Sequence, residues 1–341
     1  MQPVRFGLIG YGAWGSHHAR AISEHPRAQL CAVAARSEAT QAKAKEERPA
    51  ARIYGDYRQL LEREDVDVVA VVLPTHLHYE VGAAVLNAGR HLLLEKPMAL
   101  TIQDCDKLNQ LAADKKKHLA IGHEFRLSSL WGKVKELIDQ GAIGDPLYAL
   151  IELWRRPYRL GADGWRYDIN RVGNWILEEP IHFFDLARWY FQKHGDPISV
   201  FAQASAKRPD RPELQDNFSA MLRFPGGAYA VISQTLSAWE HHQVVKVTGR
   251  DGAIWASWSG ALDRTFHPTF SLKLQQGEHL AEIPITKITG EVYELNDQVD
   301  HVIRAVADGE PLLTTGRDGK WSVAMCLKAQ ESVDRKVEVA L

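Results

Sequence analysis

The chain has 341 residues, of which 45% are hydrophobic and 25% charged, an ordinary globular composition with enough length for two domains around separate cores. Lys plus Arg number 41 against 43 Asp plus Glu, and a formal net charge of -2 provides no sequence-wide field to hold nucleic acid or an anionic membrane. Disorder as the main state and those two partner classes are excluded, leaving small molecules as the expected ligands. Three scattered cysteines, Cys31, Cys105 and Cys326, fit neither a disulfide framework nor a zinc cluster, so reduced thiols, no metal and a cytoplasmic location are expected. The first ten residues run into a strand pattern without a basic leader, and no apolar stretch reaches the roughly 18 to 20 residues of a membrane helix.

From Val4 to about Gly122, short apolar runs alternate with helical segments. Val4 to Ile9, Gln29 to Ala35, Val66 to Leu73 and His91 to Leu94 are each followed by a helical pattern, and a run such as VDVVAVVL suits a strand covered on both faces. A doubly wound parallel sheet is predicted over 1–122. Beyond it the predicted strands are Leu147 to Trp154, Ile198 to Ala206, Phe218 to Phe224, Tyr229 to Leu236 and Val244 to Thr248, with tight turns at Pro225-Gly226-Gly227 and Arg250-Asp251-Gly252. A second, mostly antiparallel domain over 123–341 follows. It ends in two predicted helices, Asp297 to Ala307 and Lys320 to Val333, the last packing back near the first domain.

Gly10-Tyr11-Gly12-Ala13-Trp14-Gly15 is a G-x-G-x-x-G placed between the first strand and the first helix. The first Gly permits a tight turn, the second lets backbone approach a pyrophosphate, and the third lets helix and strand pack closely, while amides at the helix start bind phosphate. The next strand reports on the ribose. An NAD site commonly ends it with an acidic residue about 20 residues on, whereas here the strand ends in Arg36-Ser37. A guanidinium and a hydroxyl suit a 2′-phosphate, which favours NADP(H). NAD(H) stays open, since an Arg can also stack on adenine.

Two further stretches give the chain a family likeness: Glu95-Lys96-Pro97 after the strand His91 to Leu94, and Gly173-Asn174-Trp175-Ile176-Leu177-Glu178-Glu179-Pro180-Ile181-His182-Phe183-Phe184-Asp185. With Pro74-Thr75-His76-Leu77-His78 and the glycine loop in this order, the chain resembles the glucose-fructose oxidoreductase and inositol dehydrogenase family, Gfo/Idh/MocA, over nearly its whole length. The resemblance implies nicotinamide-dependent oxidation or reduction of a sugar, cyclitol or related polyol, with Lys96 and His182 as catalytic groups. It also implies that Pro74, Thr75, His78 and Glu95 line the cofactor site. One departure is visible: the family's Asp four residues before the His is Glu178 here, one methylene longer.

Residue chemistry agrees with these roles. His182 suits proton removal and return near neutral pH. Pro180 fits a first helical turn, so a helix over Ile181 to Phe191 is predicted with His182 near its positive end, which favours the neutral imidazole. Asp185, three residues on, is expected to orient that ring. Lys96 follows a buried strand at the carboxyl edge of the sheet, where an ammonium can stabilise a developing alkoxide. His78 is read either as a cofactor contact or as a helix-face residue. Arg126 is read either as a substrate anchor or as a link between domains. Trp165, Arg166 and Glu178 are the expected substrate contacts, in a segment rich in rings and cations from Trp154 to Arg171. The polar loop Lys207 to Gln215 is expected to cover the site or serve a neighbouring subunit, in a homodimer or homotetramer built through the second sheet. A transient-oxidation glycoside hydrolase or lyase and a non-catalytic sensor are the alternatives to a dehydrogenase.

Overall fold

The computed structural model describes residues 2–262 and 264–341. The chain divides into two units: residues 2–124 with Leu295–Lys320, and Phe125–Glu294 with Trp321–Leu341.

Six strands make the sheet of the first unit: β1 (Val4–Ile9), β2 (Ala28–Ala34), β3 (Arg52–Tyr54), β4 (Val68–Val71), β5 (His91–Leu94) and β6 (Leu119–Ile121). All pair in parallel, in the order β3-β2-β1-β4-β5-β6. Every residue of β4 is buried, as expected of a strand covered by crossover helices on both faces. Those helices are α1 (Gly15–Glu24), α2 (Glu38–Glu47), α3 (Tyr57–Arg63), α4 (His78–Asn87) and α5 (Ile102–Asp114). Three of them start on side-chain caps: Ser37, Asp56 and Thr101 accept from the amides of Thr40, Arg58 and Asp104. Between β3 and β4 the chain crosses from one side of β1 to the other. This reversal opens a crevice beyond the carboxyl ends of β1 and β4, where open parallel sheets bind ligands.

The core of this unit includes Phe6, Leu8, Val33, Val68, Ala70 and Leu93, together with Leu295, Val299, Val302 and Ile303. The apolar spacing of those last four brings residues 295–320 into the first unit, although they follow the second in sequence. Ala120 also bridges Thr315, and the Ile121 amide donates to the Thr314 carbonyl at 3.1 Å. A single cut after residue 122 therefore does not describe the packing.

The second unit opens with α6 (Trp131–Asp139) and β7 (Pro146–Trp154), followed by the short α7 (Ile169–Val172) and by α8 (Pro180–Tyr190). Then come β8 (Ser199–Ser205), β9 (Asn217–Arg223), β10 (Tyr229–Thr235), β11 (His241–Gly249), β12 (Gly252–Gly260), β13 (Thr269–Gln276) and β14 (His279–Glu282). After α9 (Glu291–Ile303) and α10 (Gly316–Arg335), β15 (Val339–Ala340) completes a nine-stranded sheet in the order β14-β13-β12-β11-β7-β10-β9-β8-β15. Only β7 and β10 pair in parallel; the other neighbours are antiparallel.

One register row, Ala202, Ala220, Ile232, Ile151, Val245, Ala256 and Leu272, is buried throughout. The neighbouring row on the opposite face runs through Phe201, Met221, Val231, Leu150, Lys246, Trp255 and Lys273, with Phe201, Met221, Lys246 and Trp255 exposed. Period-two alternation thus covers one face, with α8 against β7 and β10, and leaves the other open, its large apolar side chains interleaved with lysines.

Candidate active site

The glycine loop leaves β1 as the sequence predicts. Gly10 adopts φ +102°, and a Cβ there would lie 2.1 Å from the Val72 carbonyl oxygen; a Cβ on Gly15 would lie 2.1 Å from that of Gly10. Neither position admits a side chain. Gly12 differs: no atom lies within 4 Å of where its Cβ would be. Gly12 and Ala13 are exposed, Trp14 is half-buried, and α1 begins at Gly15. An open backbone cradle before a helix start fits the phosphates of a dinucleotide. Arg36 is exposed just beyond β2, and no carboxylate precedes it at the strand end. Ser37 is already engaged, its hydroxyl capping α2 and bonding Thr40 Oγ1 at 2.7 Å.

Pro74 and the buried Thr75 open a 3-10 turn after β4 and lead into α4. His78 at the start of α4 is buried, with Nδ1 2.6 Å from the Pro97 carbonyl and Nε2 2.8 Å from that of Leu73. Both nitrogens thus face main chain rather than a ligand, which assigns His78 to holding the Glu95-Lys96-Pro97 turn. Burial lowers its pKa, and the two carbonyls oppose that shift. The Lys96–Pro97 peptide is cis.

Glu95 is buried, with Oε1 2.8 Å from His18 Nε2 and Oε2 accepting from the Lys96 amide at 3.2 Å. Burial pushes this carboxyl up. The hydrogen bond and charge of His18, with Lys96 and Trp14, outweigh that and hold it below the usual carboxylate range. His18 is fully buried and was not among the expected site residues. Its position, three residues past the last loop glycine and one helical turn beyond Trp14, was the available signal. Lys96 itself is half-buried.

In the second unit, Pro180 occupies the first turn of α8 and His182 lies on that turn, as the sequence predicts. The His182 amide donates to the Glu179 carbonyl at 3.0 Å. Its buried ring stacks on Phe125, with centroids 4.5 Å apart and planes 20° from parallel. Asp185 does not play the expected part: its two oxygens accept from Arg126 Nε and Nη2, each at 2.7 Å, with both side chains buried. The same pair consumes Arg126, which sequence reasoning offered to substrate or to a domain contact.

Glu178 and Arg166 are brought together. Arg166 Nε donates to the Glu178 carboxylate, and the guanidinium lies 4.7 Å over the Trp165 ring. Trp165 is a packing residue, in one buried cluster with Tyr158, Val172, Trp175, Leu214 and Leu236. Asn174 Oδ1 accepts from the Leu177 amide at 2.8 Å and shapes the approach to Glu178. Trp154 is 45% exposed and not core. The loop from Lys207 packs locally, Arg211 donating to the Tyr167 carbonyl at 2.7 Å and Leu214 joining the cluster. Arg155, one of the cations of the segment Trp154 to Arg171, lies against the buried Glu179, as does His241, which sequence reasoning missed.

A model of an oxidoreductase family with an NAD-binding Rossmann fold (GFO_IDH_MocA) matches residues 4–123, and the GFO/IDH/MocA C-terminal domain matches 131–255. The chain is 28% identical to the myo-inositol 2-dehydrogenase of Thermotoga maritima over 99% of this chain and 98% of that protein. It is likewise 28% identical to the inositol 2-dehydrogenase of Rhizobium meliloti, over 99% of each. A solved levoglucosan dehydrogenase in complex with NADH and levoglucosan shares the fold, with a TM-score of 0.84 at 22% identity over 99% of both chains. An open phosphate cradle on a parallel sheet and an α8 carrying His182 beside a mostly antiparallel sheet are what these matches predict: the chain belongs to the Gfo/Idh/MocA family of NAD-binding oxidoreductases.

Proposed function

We propose that the protein is a dehydrogenase or reductase that moves a hydride between nicotinamide and a carbinol carbon of a sugar, cyclitol or related polyol. The observation that carries this reading is His182, buried at the start of α8 and stacked on Phe125, one helical turn after a carboxylate, Glu178, that Arg166 holds. A bound nicotinamide supplies the hydride acceptor or donor. His182 takes the hydroxyl proton as the carbinol becomes a carbonyl and returns it in reduction. Lys96 stabilises the negative charge that develops on the substrate oxygen. Glu178 and Arg166 bind substrate hydroxyls, the carboxylate accepting and the guanidinium donating. Inositol and levoglucosan, named for the relatives, are polyhydroxylated rings of this kind.

Gly10, Gly12, Ala13, Trp14 and Gly15 form the phosphate cradle in this reading, with Pro74, Thr75, Glu95 and Lys96 toward the nicotinamide end. Arg36 and Ser37 select the 2′-phosphate of NADP(H) over NAD(H). Exposed Phe201, Met221 and Trp255 on the open face of the second sheet support a homodimer or homotetramer formed through that face.

A panel of sugars and cyclitols, followed by absorbance of the reduced nicotinamide with each cofactor, tests the assignment. Net, stoichiometric reduction or oxidation of the cofactor is expected. Lys96→Ala and His182→Ala should each lower kcat about 10²- to 10⁴-fold while cofactor affinity stays within a few fold. Retained turnover in both variants would overturn the roles given to them.

A further inference from the structure

We infer that Glu179, His241 and Glu291 form a binding site for a divalent cation of the zinc class. Glu179 is the residue before the first turn of α8, His241 opens β11, and Glu291 opens α9. One donor atom from each lies within 4.8 Å of the others. Two donors on one tetrahedral zinc sit roughly 3.4 Å apart, so closure by about an ångström, within reach of side-chain torsions, completes the set.

Three further observations point to a ligand. Glu179 is buried, yet its Oε1 has no hydrogen-bond partner, while Arg155 engages Oε2. That oxygen lies 3.3 Å from His241 Nε2 without a hydrogen bond between them. A buried carboxylate oxygen left so costs about 1–3 kcal/mol or more, which a cation removes. The His241 ring is also held in place: Trp258 meets it edge-on at 5.1 Å, and the Trp258 indole N–H donates to the Thr289 carbonyl at 3.0 Å. Finally, Glu291, Gln243 and Trp258 line a cavity of about 10 Å³. That is the room of about one water beside Glu291, and Gln243, whose Nε2 lies 3.1 Å from His241 Nε2, would turn from the imidazole to that water when a cation takes the nitrogen.

One imidazole with two carboxylates is a mixed donor set that favours zinc over the all-oxygen cages of calcium or magnesium. Its consequence lies in α8. Glu179 accepts the amide of His182, so a cation on Glu179 fixes the turn that carries the imidazole. The site itself stands apart from the proposed reaction; only this positioning effect rests on that reading.

Full-length, tag-free protein is stripped with EDTA, dialysed against Zn²⁺ alone, and assayed for bound zinc and for Tm. One zinc per chain is expected, with Tm raised by about 5 °C when zinc exceeds its Kd a hundredfold. His241→Gln and Glu291→Gln should lose both the stoichiometric zinc and the Tm rise while keeping the circular dichroism of the metal-free protein. Glu291 is only half-buried at a helix start, so its variant keeps the test open if His241→Gln fails to fold. No stoichiometric zinc in the unaltered protein, or equal zinc in it and in Glu291→Gln, would overturn the site whether or not the enzyme turns over.

Discussion

Arg126 and Asp185 form a buried two-pronged ion pair, Nε to Oδ2 and Nη2 to Oδ1, each at 2.7 Å. The pair joins the 3-10 turn Glu124–Leu127 to the middle of α8, and Trp189 packs 5.4 Å from the guanidinium. The same turn supplies Phe125, on which His182 stacks.

Breaking the pair from one side strands a charge out of water. Asp185→Ala or Arg126→Ala should therefore cost about 3–5 kcal/mol, whereas the double change to Arg126→Met with Asp185→Leu should recover most of it. Denaturant midpoints of the three proteins measure this. A single variant as stable as the parent would show that the pair is dispensable.

A second pair touches the proposed chemistry. Glu178 and Arg166 share a hydrogen bond, with side chains 8% and 23% exposed. Glu178→Gln and Arg166→Ala should each lower kcat/KM by about 10- to 100-fold, and the double variant should lose less than the product of the two, with a coupling of about 1 kcal/mol or more. Full additivity would mean that the two residues serve substrate independently. Unchanged kinetics in Glu178→Gln would remove Glu178 from substrate binding.

These two pairs mark where the sequence stops being legible. The glycine loop and the Pro180-led helix were readable because local spacing dictates each: Pro at a first turn, Gly where the Val72 carbonyl leaves no room for a Cβ. Asp185 was readable as a neighbour of His182 on a helix, but its partner lies 59 positions away, and helical spacing carries no information about that. Trp165 looked like a sugar-stacking ring and proved to be cluster core, because aromatic composition alone does not tell a wall from a filling. His241 and Glu291 escaped notice for the same reason: only folding brings them to Glu179. Strands β12 to β14 were passed over as well, and residues 295–320 were given to the wrong unit because chain order was taken for packing order.

Loss of stability in acid follows from histidines whose pKa burial lowers. Burial, with His118 and Lys117 beside it, holds His91 down to about 4, and its Nδ1 accepts the His118 amide at 3.0 Å. Burial likewise lowers His78 and His301. Each folded pKa lies below the unfolded value of about 6.5, so the unfolded chain binds protons first as pH falls. The stability these groups contribute is fully present above about pH 6.5 and declines below it, for His91 down to about 4. Urea midpoints at pH 7, 5.5 and 4.5 should fall in that order, and His91→Gln should make the decline shallower. A slope identical to the parent's would show that His91 does not drive it.

In the proposed reading, cofactor choice turns on a single exposed side chain. Arg36 stands where β2 ends with no carboxylate before it, a position that suits a 2′-phosphate. A guanidinium–phosphate contact contributes about 1.5–3 kcal/mol, so Arg36→Ala should lower kcat/KM for NADP(H) by about 10- to 100-fold while leaving NAD(H) nearly unchanged. Arg36→Asp should go further and prefer NAD(H), since a carboxylate accepts from the free ribose hydroxyl and repels phosphate. Ser37 is the poorer probe: its hydroxyl caps α2, and Ser37→Ala would mix an effect on cofactor with about 1 kcal/mol of lost helix stability. Kinetics of the two Arg36 variants with both cofactors settle the matter, because equal weakening of NADP(H) and NAD(H) would place the guanidinium on a part that the two cofactors share.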